Sequence, residues 1–270
     1  MSSNLRPRTV PEILDAAFRL LRENYGHFVL LSALGGFPYW AVLWFSGFYA
    51  LSADPTRIAM GQFPTFGAGM GLGLAAAGIW WAIANASIVV AASDAFLTGE
   101  VVPGRALARA ASRWWRVLGA LILKGLAIFF GYFLILIGAL WMATRYFASM
   151  PCVLIEDRPV VSAFNRSVEL SNGAKWRILG GLVLAYLVYI VVSVTLSTII
   201  GLFPIPLLLR AAFSGVVYVF VSPLIGIVIT LLYYDMRIRK EAFDLEVMAA
   251  ELGGAPPSVP GSPATASTGD

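Results

Sequence analysis

The sequence predicts an all-α polytopic membrane protein, a helical bundle of about six transmembrane helices with amphipathic cytoplasmic interfacial helices. Hydrophobic residues make up 59% of the 270-residue chain and charged residues 13%, whereas soluble domains average about 45–50% and about 25%. The apolar residues form blocks of roughly 17–27 residues, the length that crosses a hydrocarbon core of ~30 Å. A soluble fold could not bury this much apolar surface.

Six spans are predicted within five apolar blocks. The blocks are residues 27–51, 66–90, 117–155, 178–203 and 212–234. The third block is too long for one span and long enough for two short antiparallel spans, which we expect to turn near Gly138. Because Arg145 lies inside the second of these, residues 139–155 form either a full span or a re-entrant segment. Pro223 is expected to bend the sixth span.

Segments of different composition flank the membrane blocks. The predicted units are a cytoplasmic amphipathic N-terminal segment at 1–26, the six-span membrane domain at 27–236, a basic amphipathic cytoplasmic helix at 237–252 and a disordered tail at 253–270. The tail consists largely of Gly, Pro, Ser, Ala and Thr, a composition that cannot form a core. No cleavable signal peptide is indicated, because the first long apolar run follows a charged, helix-patterned segment.

The basic residues predict the orientation. Of the nineteen Lys and Arg residues, fifteen precede the first span, lie between spans two and three or four and five, or follow the sixth. Only Arg57 and Arg210 fall on the other side, and Lys124 and Arg145 lie inside predicted spans. The positive-inside rule therefore predicts that both termini are cytoplasmic.

Three of the basic segments share a repeated pattern. Ala16–Arg19, Ala106–Arg109 and Ala163–Arg166 each read A-x-x-R, and an aromatic residue and an apolar block follow each one. The second and third copies also share W-R-[VI]-L-G. We interpret the repeat as an amphipathic helix followed by a membrane helix.

The basic faces of these segments are candidate lipid contacts. An amphipathic helix can lie in the headgroup plane with its arginines near anionic phosphates, or it can pack on the cytoplasmic end of the bundle. The candidate headgroup residues are Arg105, Arg109, Arg113, Arg116, Trp114, Arg237, Arg239 and Lys240. We expect an anionic bilayer as partner, with membrane or cytoplasmic proteins as further candidates. Nucleic acid is not expected, because the basic clusters adjoin membrane segments.

Three polar residues inside the spans form a candidate intramembrane polar site: Asn85, Lys124 and Arg145. A charge at the bilayer centre costs at least ~2.5 kcal/mol and is often functional. Lys124 lies near enough to the cytoplasmic end of its span to snorkel, whereas Arg145 is deeper. Asn85 lies on a glycine-rich segment whose G-x-x-x-G pairs, within residues 67–73, predict close helix packing.

No catalytic, cofactor-binding or metal-binding set is evident in the sequence. One histidine, His27, and one cysteine, Cys152, leave little for histidine catalysis or zinc binding. Glu156, Asp157 and Glu241 adjoin basic residues, which favours a solvated, salt-bridged surface. Because no phosphate loop or nucleophile elbow is present, we expect a non-enzymatic protein without a cofactor.

The ends and the centre of the chain resemble one bacterial membrane-protein family. Residues 231–246, LLYYDMRIRKEAFDLE, resemble the closing motif of the family named for the membrane domain of glycerophosphoryl diester phosphodiesterase. Residues 6–19 and 157–161 are similar to the same family, and Ala242 stands where its pattern has glycine. The resemblance implies a stand-alone, multi-pass module of the bacterial cytoplasmic (inner) membrane, without the diesterase's catalytic domain.

Two functions are most compatible with these features, and a membrane enzyme that uses Glu156, Asp157, Asp235 or Glu241 ranks third. The leading hypothesis is a scaffold or accessory protein that acts at the cytoplasmic membrane face through its amphipathic helices. The alternative is a transporter or lipid-handling protein with a polar site at mid-membrane depth. An open polar cavity between the spans would favour the alternative, whereas a packed interior with Arg145 at the surface would favour the scaffold.

Overall fold

The computed structural model describes residues 7–45, 68–132 and 135–241, and these residues are helical apart from short connections. The helices are α1 (Val10–Glu23), α2 (Tyr25–Phe45), α3 (Ala68–Thr98), α4 (Pro103–Ser112), α5 (Trp114–Tyr132), α6 (Ile135–Arg145), α7 (Ser149–Leu154), α8 (Val160–Ser171), α9 (Lys175–Gly201), α10 (Leu207–Val221) and α11 (Pro223–Glu241). The predicted tail at 253–270 and residues 242–252 of the predicted C-terminal helix lie outside the described residues.

Five stretches of the described chain are long and apolar enough to cross a membrane. They are Tyr25–Leu43, Gly71–Thr98, Trp114–Tyr132, Lys175–Gly201 and Ala212–Glu241. They fall in the blocks predicted for spans one, two, three, five and six. The all-helical fold is therefore confirmed, and the five stretches suggest a multi-pass membrane protein.

The chain returns repeatedly to one end of the bundle, here called the polar end. The backbone N–H of Arg8, before α1, donates to Asp235 Oδ1 on α11 at 2.8 Å. Arg177, at the start of α9, donates from Nε to Asp235 Oδ2 at 3.0 Å. Arg113, just before α5, donates from Nε to Asp157 Oδ1, beyond α7, at 2.6 Å. The starts of three helices and the last turns of α11 thus meet at the polar end.

The predicted fourth span is a broken helix rather than a continuous one. α6 ends at Arg145, a turn covers residues 146–148, and α7 has only 6 residues. The hydroxyl of Ser167 on α8 donates to the Arg145 carbonyl at 3.0 Å and accepts from the Ala148 N–H at 3.1 Å. A neighbouring helix therefore satisfies backbone groups that the break leaves free, which makes the interruption tolerable in an apolar region.

The repeated pattern corresponds to a repeated structural unit. Short helices directly precede long apolar ones in three places: α1 before α2, α4 before α5 and α8 before α9. The pattern's alanines, Ala16, Ala106 and Ala163, are all buried. The short helices pack on the bundle, α1 on α11 and α9, α4 on α3, and α8 on α7 and α11.

The long helices differ strongly in burial. The most apolar stretches of α3 and of α10–α11 are 56% buried, whereas those of α5 and α9 are only 17% and 22% buried. The core therefore forms around α3 and α11, whose Tyr233 and Tyr234 are among the largest fully buried side chains. α5 and α9 expose apolar surface of the kind that faces acyl chains in a bilayer.

The closest helix contacts lie at glycines outside the predicted G-x-x-x-G pairs. Of those pairs, Gly67 lies outside the described residues, and a Cβ on Gly73 would lie 4.0 Å from Val42 Cγ1. A Cβ on Gly35 would lie 2.6 Å from a side-chain carbon of α3, and one on Gly131 would lie 2.8 Å from the Gly138 carbonyl oxygen. A Cβ on Gly71 would meet no described atom within 4 Å. Close approach is thus required between α2 and α3 and between α5 and α6.

Candidate functional site

A cavity of about 370 Å³ lies between the long helices. Its walls come from α3, α5, α7, α9 and the junction of α10 with α11. Its polar lining residues are Asn85, Lys124, Ser149, Tyr186, Tyr189, Tyr218 and Ser222. Asn85 and Lys124 each lie near the middle of their helix. The structure therefore brings two of the three predicted intramembrane polar residues into one cavity, which we call the central cavity.

Asn85 belongs to a hydrogen-bonded network on one wall of the central cavity. Trp81 Nε1 donates to the Tyr218 hydroxyl at 3.0 Å, and that hydroxyl donates to Asn85 Oδ1 at 3.0 Å. Asn85 Nδ2 donates to the Trp81 carbonyl, one turn earlier, at 2.8 Å. The network joins α3 to α10 and holds the Tyr218 ring against the cavity.

The α10–α11 junction forms a further part of the wall. α10 ends at Val221 and α11 begins at Pro223, so a helix boundary lies where the sequence predicts a bend, because proline has no N–H to donate. The hydroxyl of Ser222, at the junction, lies 2.7 Å from that of Ser32 on α2. A Cβ on Gly226 would lie 2.9 Å from Ile88 Cγ2, so this glycine lets α11 approach α3 closely.

Lys124 supplies the positive charge of the central cavity. It lies on α5 and is half-buried. No hydrogen bond or ion pair engages its Nζ among the residues that the structure describes. The sequence predicted that Lys124 could snorkel to the cytoplasmic surface, and it gave no sign that this side chain would line a cavity. Because an ammonium without a counter-charge is costly in apolar surroundings, Lys124 is the lining residue that most requires a partner.

Arg145 lies apart from the central cavity. It lines a separate groove of about 400 Å³ with residues of α5 and α8, among them Asn165 and Glu169. Its guanidinium carbon lies 5.9 Å from the centroid of the Tyr146 ring. The bond from Ser167 to its carbonyl ties it to α8. Arg145 is thus separated from Asn85 and Lys124.

A buried carboxylate, Glu156, organises one part of the polar end. It is 3% exposed and accepts hydrogen bonds from Arg158 Nε at 2.6 Å, Arg166 Nε at 3.3 Å and the Tyr233 hydroxyl at 2.9 Å. Arg166 also donates to Glu241. Burial acts to lower the pKa of Arg166, but the carboxylates of Glu156 and Glu241 raise it above its ordinary value. The expectation that Glu156 is solvated is therefore wrong, since α8 and α11 cover it.

Asp235 organises a second cluster at the polar end. It is 3% exposed, and besides Arg8 and Arg177 it accepts a hydrogen bond from Arg239 Nε at 3.1 Å. Arg239 also donates to the Arg8 carbonyl at 3.1 Å. The sequence contained a signal for this cluster, because Asp235 directly follows an apolar block and Arg237 and Arg239 come two and four residues after it.

Three of the predicted headgroup residues, all on α11, bind within the protein. Arg237 donates to Glu241 at 3.1 Å and Arg239 to Asp235. Lys240 donates from Nζ to backbone carbonyl oxygens at the end of α8 and just beyond it. These contacts fix the end of α11 against α8 and against the start of the chain.

The predicted headgroup residues near α4 divide into two sets. Arg113 and Arg116 bind Asp157 at 2.6 and 2.7 Å. The hydrogen bond from Arg113 lowers the pKa of the Asp157 carboxyl below its ordinary value. The remaining three are Arg105, which is exposed, Arg109, which is half-buried, and Trp114, which is exposed. These three remain the candidates for headgroup contact.

Neither a metal site nor a relative assigns a function. Among the described residues, no group of three or more His, Cys, Asp and Glu side chains could hold a metal ion. No protein-family model, curated protein or solved structure matches the chain. The central cavity is therefore the feature of the described chain that bears on its function.

Proposed function

We propose that this chain is a six-pass, lipid-handling membrane protein or transporter that takes an amphiphilic ligand into the central cavity. The observation that carries this proposal is that Asn85 and Lys124, each near the middle of its helix, line the same cavity. Polar groups at that depth in a membrane are costly and are typical of substrate or ion pathways. The cavity volume lies at the lower end of the about 300–1,000 Å³ range of small-molecule sites.

In this proposal α6 and α7 together make the fourth of six passes. At 1.5 Å per residue, the two helices α6 and α7 add up to about 26 Å, and the turn at 146–148 between them extends this path to return the chain to the polar end. Both termini then lie on the same side as most of the basic residues, which favours a cytoplasmic polar end. We further propose residence in a bacterial inner membrane and membership of the family that the end motifs resemble.

Entry of a ligand from the bilayer is supported by the partial exposure of residues that line the central cavity. Leu121 on α5 and Tyr186 on α9 both line the central cavity, and they are 39% and 48% exposed. The lining therefore continues onto the apolar outer faces of α5 and α9. A lipid-soluble ligand could enter sideways between these helices without crossing the polar end.

The scaffold hypothesis has less support from the geometry. It depends on amphipathic helices that are free to bind partners, yet Ile13 and Ala17 of α1 and Ala106 and Ala110 of α4 are buried against the bundle. Binding or transfer of an amphiphile requires no catalytic group. The proposal therefore keeps the expectation of a non-enzymatic protein, with Arg105, Arg109 and Trp114 as contacts to anionic headgroups.

Photo-crosslinking tests the proposal. The protein in nanodiscs is irradiated with a fatty acid that carries a diazirine near the end of its chain, and labelled residues are mapped by mass spectrometry. We expect labels on cavity-lining residues of α5 and α9. Ala86→Phe, which places a ring in the central cavity, removes most of these labels, whereas Leu187→Phe, on the exposed face of α9, leaves them unchanged. Labels confined to outer faces in all three proteins would contradict the proposal.

A further inference from the structure

We infer that the central cavity selects a single-chain amphiphile with one anionic group, a carboxylate or a phosphate, and that Lys124 binds this group. The inference rests on the proposed function, because it names the ligand class of the same cavity. It depends on three features of the lining: its charge, its available donors and its shape.

The charge of the lining is positive and uncompensated. Lys124 is the one lining residue, among those that the structure describes, with a formal charge at neutral pH, and that lining contains no Asp or Glu. An anionic ligand would supply the missing counter-charge through a charge-assisted hydrogen bond. A cationic amphiphile would meet a like charge, and a neutral one would leave the ammonium without a charge partner.

The opposite wall already uses its polar groups. The Tyr218 hydroxyl accepts from Trp81 and donates its proton to Asn85 Oδ1. Its single proton is therefore committed within the network. The lysine on α5 is left as the strongest available donor, with the hydroxyls of Tyr186 and Tyr189 on the adjoining wall.

The remaining lining suits an apolar chain. It includes Ile88, Val89, Met150, Ile225 and Ile229. A volume of about 370 Å³ is small for a ligand site and favours one chain over two. The exposed lining residues Leu121 on α5 and Tyr186 on α9 mark the side from which such a chain would enter, with its anionic group directed inward.

Lys175 provides a matched control. It begins α9 at the polar end, and its Nζ lies 3.9 Å from the centroid of the Trp141 ring. This ammonium therefore already has an aromatic partner and lies outside the central cavity. Replacing it removes the same charge from the protein and leaves the cavity lining intact.

Equilibrium binding of four probes with the same alkyl chain tests the inference. The probes are a fatty acid, a monoalkyl phosphate, a fatty alcohol and an alkylammonium, added to the full chain in zwitterionic nanodiscs. We expect wild type to bind at least one anionic probe about tenfold or more tightly than the alcohol, as one charge-assisted hydrogen bond can achieve. Lys124→Met abolishes this preference, whereas Lys124→Arg and Lys175→Met keep it. The tighter anionic probe identifies the carboxylate or the phosphate as the ligand group.

Three results would overturn the inference, and they differ in what they mean for the proposed function. If all four probes bind equally, or if the anionic preference survives in Lys124→Met, the inference fails. Binding that Ala86→Phe still prevents would then leave the proposed function intact. If no probe binds to wild type, both fail together.

Discussion

The polar end and the central cavity differ in whether their buried charges have ion-pair partners. At the polar end, Glu156 and Asp235 are almost fully buried, and each lies within ion-pair distance of two arginines. In the central cavity, Lys124 has no such partner among the described residues. Paired charges hold helices in register, whereas an unpaired charge costs free energy and stabilises nothing by itself. The contrast indicates a structural role for the polar end and supports the binding role proposed for the cavity.

The largest expected effect is the loss of Glu156. Glu156→Ala leaves Arg158 and Arg166 without their shared buried acceptor, so we expect the free energy of unfolding to fall by about 3–5 kcal/mol. Unfolding in detergent measures this. Glu169→Ala is the control, because its side chain is 67% exposed and lies 3.6 Å from Arg166, and it should cost less than about 1 kcal/mol. If Glu156→Ala and Glu169→Ala lowered the free energy of unfolding equally, the structural role of the buried Glu156 pairs would be contradicted.

Replacing Lys124 should not lower the free energy of unfolding as the loss of Glu156 does. Lys124→Met removes an unpaired charge and keeps a similar chain length, so the free energy of unfolding in nanodiscs should stay the same or rise by up to about 2.5 kcal/mol. The same preparation should lose its preference for anionic amphiphiles. A destabilisation as large as that of Glu156→Ala would show that Lys124 holds the fold together.

The smallest effect concerns Asp157, which lies at the edge of the polar end. Its side chain is 52% exposed, so Asp157→Asn should lower the free energy of unfolding by at most about 1 kcal/mol at pH 7. Asparagine tolerates the left-handed backbone at this position, where φ is 54°, so the substitution isolates the charge.

The difference in the free energy of unfolding between wild type and Asp157→Asn depends on pH because the pKa of Asp157 is lowered. A carboxyl whose folded pKa lies below its unfolded value of about 3.9 contributes its full stability above that value. The contribution disappears as the pH falls through the folded pKa. Unfolding of wild type and Asp157→Asn at pH 7 and in acid should therefore converge in acid, and a gap that widened there would contradict the ion pair with Arg113.

Much of the fold was predictable because membrane helices are long and uniformly apolar. Block lengths predicted the five long stretches, and Pro223 predicted a bend at the place where α10 gives way to α11. The break after Arg145 was not predictable from hydropathy. It depends on the Ser167 hydroxyl of α8, which hydrogen-bonds to the Arg145 carbonyl and the Ala148 N–H. Hydropathy near Arg145 cannot reveal a contact with another helix.

The candidate site was predictable only in part. Asn85 and Lys124 stood out because polar residues are rare in apolar blocks. Arg145 met the same criterion, yet helix packing places it beside α8. The tyrosines of the central cavity carried no local signal, because aromatic residues in membrane helices commonly serve packing or the bilayer interface. Glu156 was missed as a buried group because α11, which helps to cover it through Tyr233, is distant in sequence.

The most direct test of the central claim is a cryo-electron microscopy structure of the protein in nanodiscs that contain a long-chain fatty acid. We predict density for one chain in the central cavity, with its carboxylate within hydrogen-bond distance of Lys124 Nζ and the bond between Tyr218 and Asn85 retained. A cavity filled by protein side chains, with Lys124 Nζ turned toward the carboxylates of the polar end, would contradict the account.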